Sequence, residues 1–264
     1  MIEMTSFAEI LKNSFIVLKK EPKLFVPKIF LALLWGGLLL YSVDLLKRIQ
    51  EINSVVVLEE KAFLLNEILP ASVALLFFSF LFFVFDSVIN SAYPLMVQKY
   101  LSKQPFSVFA SVKSVLFDFN KIVLPVLIAF FAGILVLFPF TLMFSFFFTE
   151  QNTFLLGVTA LIILAVTFIV SVMFYFIYPV ASIERKGLAS VINTIKKSRK
   201  NFFEASFGTF IAMILSVVSA LLVSFSDATE LTVLALIVFV VLRIITAVLA
   251  TYSMVLNPLL YFKK

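Results

Sequence analysis

Residues 178–200, YPVASIERKGLASVINTIKKSRK, end a long apolar segment at a proline and continue as a basic, amphipathic segment. Leu188, Val191, Ile192 and Ile195 recur at the spacing of one helical face, while Asn193, Lys196, Lys197, Arg199 and Lys200 fill the other side. A helix of this kind lies in the interface plane of a membrane, its cations toward anionic headgroups. Two further stretches repeat the design. In the first, Ser6 and Glu9 have the spacing of a capping box, Phe7, Ile10, Leu11, Ser14, Phe15 and Leu18 form a mostly apolar stripe, and Lys19 and Lys20 end it. The second, Pro105 to Leu116, carries Val108, Phe109, Val112, Val115 and Leu116 on one side and is less basic.

Between these elbows the chain is built for hydrocarbon. Of its 264 residues 62% are hydrophobic and 14% charged, more apolar surface than a compact water-soluble core hides. Mean hydropathy is +1.14. Residues 1–23 have no short apolar core with a small-residue cleavage site behind it, so the first apolar run is expected to be kept as a span. Six spans follow: Leu24 to Leu46, Pro70 to about Gln98, Ile122 to Phe148, Phe154 to Ala181, Phe202 to Ser226, and Leu231 to about Phe262. Lys47 to Leu69 reads as an external segment containing a short helix on or near the membrane. Short polar turns join spans three and four (Thr149 to Thr153) and spans five and six (Asp227 to Glu230).

Six spans put both termini on one side, and the cations say which. Lys12, Lys19, Lys20, Lys23 and Lys28 precede or open span one. Lys99, Lys103, Lys113 and Lys121 follow span two, Arg185 to Lys200 follow span four, and Lys263 and Lys264 end the chain. The opposite side has only Lys47, Arg48 and Lys61. Both termini and all three elbows are therefore expected in the cytoplasm, in a multi-pass protein of the cell membrane.

The exits of spans two, four and six agree in sequence: Tyr93-Pro94-Leu95, Tyr178-Pro179-Val180 and Asn257-Pro258-Leu259. The entries of the first two units agree as well, at Lys23 to Pro27 and Lys121 to Pro125. The expected architecture is an all-α, single integral membrane domain over 1–264. It holds three parallel hairpin units, at about 5–98, 104–182 and 186–262, each preceded by an amphipathic interfacial helix. The prolines free the carbonyls of Asn90, Tyr175 and Met254 and are expected to end or kink helices near the interface.

The N-terminal SFAEILKNSFIVLKKEPKLF, the mid-chain YPVASIERKGLASVINTIKKSRKNFF and the six spans resemble a broad family of uncharacterised prokaryotic six-span membrane proteins. These are similar to the membrane domain attached to some glycerophosphodiester phosphodiesterases. The resemblance implies a six-span module. The catalytic barrel that sometimes accompanies such a domain needs histidine and clustered carboxylates, and neither is present in this chain.

Cysteine and histidine are both absent, which removes disulfides, thiol nucleophiles, the Ser-His-Asp arrangement and ordinary zinc ligation. No cofactor and no metal site are expected. The 34 phenylalanines point all round their helices and suit lipid contact and packing. The net charge of +6 gathers on the cytoplasmic side, so topology accounts for it and no nucleic acid is expected as a partner.

Ionisable residues inside apolar spans are expensive and mark candidate sites. Asp86 and Arg243 are the deep ones, at depths of roughly 22 Å and 18 Å from the outer span ends at 1.5 Å per residue, and are expected to pair. Asn90 lies one helical turn from Asp86. The leading expectation is a non-enzymatic multi-pass membrane module that interacts with lipids or packs with a membrane-protein partner. Lys19, Lys20, Lys196, Lys197, Arg199 and Lys200 would meet anionic headgroups. The alternative is a small-solute or lipid transporter with an asymmetric polar site at Asp86, Asn90 and Arg243.

Overall fold

A computed structural model describes residues 6–54, 58–149, 152–224 and 233–263, and all regular structure among them is helical. Among the described residues, six helical stretches are long and apolar enough to cross a membrane: Pro22–Gln50, Ile68–Leu101, Phe119–Thr149, Thr153–Glu184, Phe202–Ser224 and Leu234–Tyr261. This is the architecture of an all-α, multi-pass membrane protein. The turn at Asp227 to Glu230, the start of the sixth span at Leu231, and the middle of the turn between spans three and four lie outside the described residues.

The chain folds as two compact units. One comprises Ser87–Leu215 with the two ends of the chain, up to Glu21 and from Tyr252; the other comprises Pro22–Asp86 and Ser216–Thr251.

In the first unit, α1 (Phe7–Lys20) opens on the expected capping box. The Ser6 hydroxyl accepts from the Glu9 N–H at 3.2 Å, and the Glu9 carboxylate accepts from the Ser6 N–H at 3.3 Å. Lys19 and Lys20 occupy its last turn, where the helix dipole favours cations. The C-terminal end of α3 (Leu58–Leu101) leads to α4 (Val108–Phe117), capped by Ser107, and then to α5 (Phe119–Thr149). α5 packs against α6 (Thr153–Phe174), α7 (Ile177–Glu184) and α8 (Ala189–Lys200). Gly133 sets the approach of α5 to α6, because a Cβ there would stand 3.3 Å from Val170.

The fourth span is broken. α6 stops at Phe174 and α7 begins at Ile177, so Pro179 falls in the first turn of a new helix, where its missing N–H removes no bond within α7 itself but leaves the Tyr175 carbonyl behind it without one. Pro94 and Pro258, at the matching exits, instead lie within the continuous helices α3 and α10 (Val233–Tyr261).

α8 and α4 bury a different face from the one their hydrophobic pattern suggests, whereas α1 buries most of its expected stripe. α8 turns Ser190, Thr194 and Ser198 into the protein and leaves Leu188 and Ile192 58% and 59% exposed. α4 buries Ser111 and Val115 and leaves Phe109 77% exposed. α1 buries Ile10, Ser14, Val17 and Leu18 with Phe15 outward. Small hydroxyl residues let backbones approach closely, and Ser14, Ser111 and Thr194 each donate to the carbonyl four residues back, whereas the buried hydroxyls of Ser190 and Ser198 have no hydrogen-bond partner.

In the second unit, a 3-10 turn (Pro22–Phe25) leads into α2 (Val26–Ser54). Among the described residues, the segment expected to hold a separate short helix does not form one. α2 runs on to Ser54 and α3 starts at Leu58, extending the first two spans as continuous helices, α3 through Pro70. Residues 47–54 and 58–69 contain no glycine and no proline, so each span can propagate its helix through them. Trp35 packs edge-on against Phe82, with ring centroids 5.9 Å apart. The ends of α9 (Phe202–Ser224) and α10 beyond Leu215 and before Tyr252 complete this unit.

Candidate functional site

Polar side chains in the first unit gather where the span exits meet. Asn90 donates from Nδ2 to the Tyr178 hydroxyl at 3.2 Å, and the Ser182 hydroxyl donates to the Ser91 carbonyl at 2.6 Å, tying α3 to α7. Asn257 Nδ2 donates to the Tyr175 carbonyl at 2.5 Å, tying α10 to the break between α6 and α7. The Tyr252 hydroxyl reaches the Leu11 carbonyl of α1 at 3.1 Å. Tyr93, Phe176, Ser91 and Ser182 are fully buried among these contacts. Gly208 of α9 is flat against Tyr175, and a Cβ there would run into that ring and hydroxyl.

Toward the chain ends the exits become charged. Glu184, the last residue of α7, accepts from Asn193 Nδ2 at 2.9 Å and from the Tyr261 hydroxyl at 3.4 Å, and pairs with Lys186 at 3.3 Å. Arg185 caps α7 in the left-handed region at φ 51°. Its guanidinium bridges Asp118 at 2.5 Å and the Ser114 hydroxyl at 3.0 Å, holding the α4–α5 corner. Among the candidate headgroup cations, Lys197 lies 4.7 Å from the centre of the Tyr261 ring, whereas Lys19, Lys20, Lys196, Arg199 and Lys200 are exposed.

In the second unit the expected pairing of Asp86 with Arg243 is not formed. Asp86 is held by Lys28 of α2, Nζ to Oδ1 at 2.6 Å, with the lysine side chain only 9% exposed. Lys28 stands one turn inside the first apolar run, and it is this depth, not a place among flanking charges, that brings it level with Asp86. An ionisable residue already inside a span was the available signal. Arg243 takes another course. Its stem packs at Gly36, where a Cβ would lie 3.5 Å from Arg243 Cγ, and its guanidinium sits 5.0 Å from the centre of the Phe239 ring. Its Nε is buried with no hydrogen-bond partner.

A cavity of about 370 Å³ adjoins it, lined by Trp35, Ser42, Ser79 and Arg243 with three leucines. Nothing in the apolar pattern of these helices marked Trp35, Ser42 or Ser79 as neighbours. Among the described residues no three acidic side chains converge as a metal site requires. Comparison of the chain with protein-family models, with curated proteins and with solved structures finds no match.

Proposed function

We propose that the protein is a non-enzymatic multi-pass membrane module that binds anionic lipid headgroups through its three short helices. In this reading α1, α4 and α8 are interfacial helices, each opening a parallel two-span hairpin unit, and both termini are cytoplasmic in the cell membrane. A membrane-protein partner would dock on the exposed span faces.

The observation that carries the proposal is the rotation of α8. Its serine and threonine stripe is taken up by protein contact, which leaves Leu188 and Ile192 uncovered beside Lys196, Arg199 and Lys200. An apolar strip flanked by cations fits the acyl boundary below an anionic surface. Phe109 and Phe117 of α4, at 77% and 80% exposure, present the same feature.

Nitroxide labels at single cysteines, added to this cysteine-free chain at Ile192 and Lys196, test it in vesicles with and without phosphatidylglycerol. The expected result is a label at 192 shielded from water and one at 196 in water, with the difference larger in anionic vesicles. Equal water exposure at both positions would remove the interfacial reading.

A further inference from the structure

Arg243 is a cation placed inside a span and lining an apolar cavity, its Nε buried with no hydrogen-bond partner. It lies 10 residues beyond Val233, about 15 Å into α10 at 1.5 Å per residue, in the half of the helix remote from the C-terminus. Gly36 and Phe239 hold its stem and the face of its guanidinium, so the side chain is positioned by packing. The two cavity hydroxyls are already committed: Ser42 donates to the Leu39 carbonyl and Ser79 to the Leu75 carbonyl, both at 2.7 Å. Of the side-chain donors left among the lining residues, the Trp35 indole N–H and the guanidinium, the guanidinium is the charged one, a planar fork suited to oxyanions. The volume falls within the range of about 300–1,000 Å³ typical of small-ligand sites.

An arginine in hydrocarbon without an anion is costly, and the ring of Phe239 neutralises none of its charge. From this charge complementarity we infer that the cavity receives the headgroup oxyanion of a net-anionic membrane lipid, which enters from the bilayer half remote from the chain termini. A zwitterionic lipid carries its own cation beside its phosphate and gains less from Arg243. Leu38, Leu39 and Leu75 supply the apolar wall along which the first carbons of an acyl chain would run. This site lies in the spans and requires only that the helices cross a bilayer, so it stands or falls separately from lipid binding by α1, α4 and α8.

Trp35 is the single tryptophan of the chain and lines the cavity, so its fluorescence reads occupancy at this place alone. The protein would be placed in nanodiscs of fixed phosphatidylcholine and phosphatidylglycerol content, with brominated acyl chains on one lipid or the other. The expected result is stronger quenching when phosphatidylglycerol carries the bromine, corresponding to a local preference of about tenfold for one charge-assisted contact. The preference should vanish in Arg243→Gln. It should also vanish in a Ser42→Leu, Ser79→Leu double variant, which fills the cavity and keeps the arginine, so the test survives if Arg243→Gln does not fold. Inorganic phosphate added to phosphatidylcholine discs should leave the fluorescence unchanged. Equal quenching by either brominated lipid, or a preference that persists in both variants, would overturn the inference. A response to inorganic phosphate alone would replace the lipid with a soluble oxyanion and overturn it as well.

Discussion

The side-chain amide of Asn257 donates to the backbone carbonyl of Tyr175, the carbonyl that Pro179, four residues on, has no N–H to satisfy. A defect in one span is thus completed by a side chain from another, at the point where α6 gives way to α7. In a span such a carbonyl finds no water to turn to, so the contact holds the two exits together.

Replacing Asn257 by leucine should therefore cost about 1–3 kcal/mol, the range for a buried group left unsatisfied. Thermal unfolding in mild detergent measures it. In a Pro179→Ala background, where an N–H becomes available to the same carbonyl, the loss should shrink. A loss equal in both backgrounds would show that the amide acts elsewhere.

Gly208→Ala drives a methyl group into the Tyr175 ring and hydroxyl. Overpacking of this sort costs about 1–3 kcal/mol, and Tyr175→Leu in the same chain should recover part of it. The same unfolding assay, run as a double-mutant cycle, reports the coupling.

The spans were legible because runs of apolar residues long enough for a bilayer leave little room for another reading. The Ser6–Glu9 box was legible because capping depends on residues three apart. The contact face of α8 was not: hydrophobic periodicity identifies the apolar side, but in a membrane protein that side can face lipid while small residues make the helix contacts, and Ser190, Thr194 and Ser198 take that part. Lys28 was read as a flanking charge because its partner, Asp86, is 58 residues away, a separation that no local pattern spans. The break at Tyr175 and Phe176 is where Pro179 was expected to end or kink its helix, but the same motif leaves α3 and α10 unbroken, and nothing in the motif itself separates the three exits.

Breaking the Lys28–Asp86 pair by Lys28→Met or by Asp86→Leu should destabilise the protein by about 3–5 kcal/mol, because the remaining charge loses the ion that compensates it. The double replacement by apolar residues should come back close to the starting stability. Additive losses in the unfolding assay would mean that the two residues act independently.

Orientation can be read by labelling. Cysteines placed singly at Asn152 and Lys196, both exposed, should differ in intact cells: an impermeant thiol reagent should reach position 152 and not position 196. The reverse pattern would invert the topology.

The Lys28–Asp86 contact also bears on how the chain is made. Span one emerges from the ribosome with its lysine before the aspartate that neutralises it has been synthesised, and the two are separated by the whole of the intervening segment. A lysine one turn inside the apolar run can reach back to the headgroups while it waits. Span one then settles to its final depth only after span two has entered beside it, so the two helices are committed to the bilayer as a couple. Loss of Asp86 would consequently appear first as poor insertion and early degradation of newly made chains, before any effect on the mature protein could be measured.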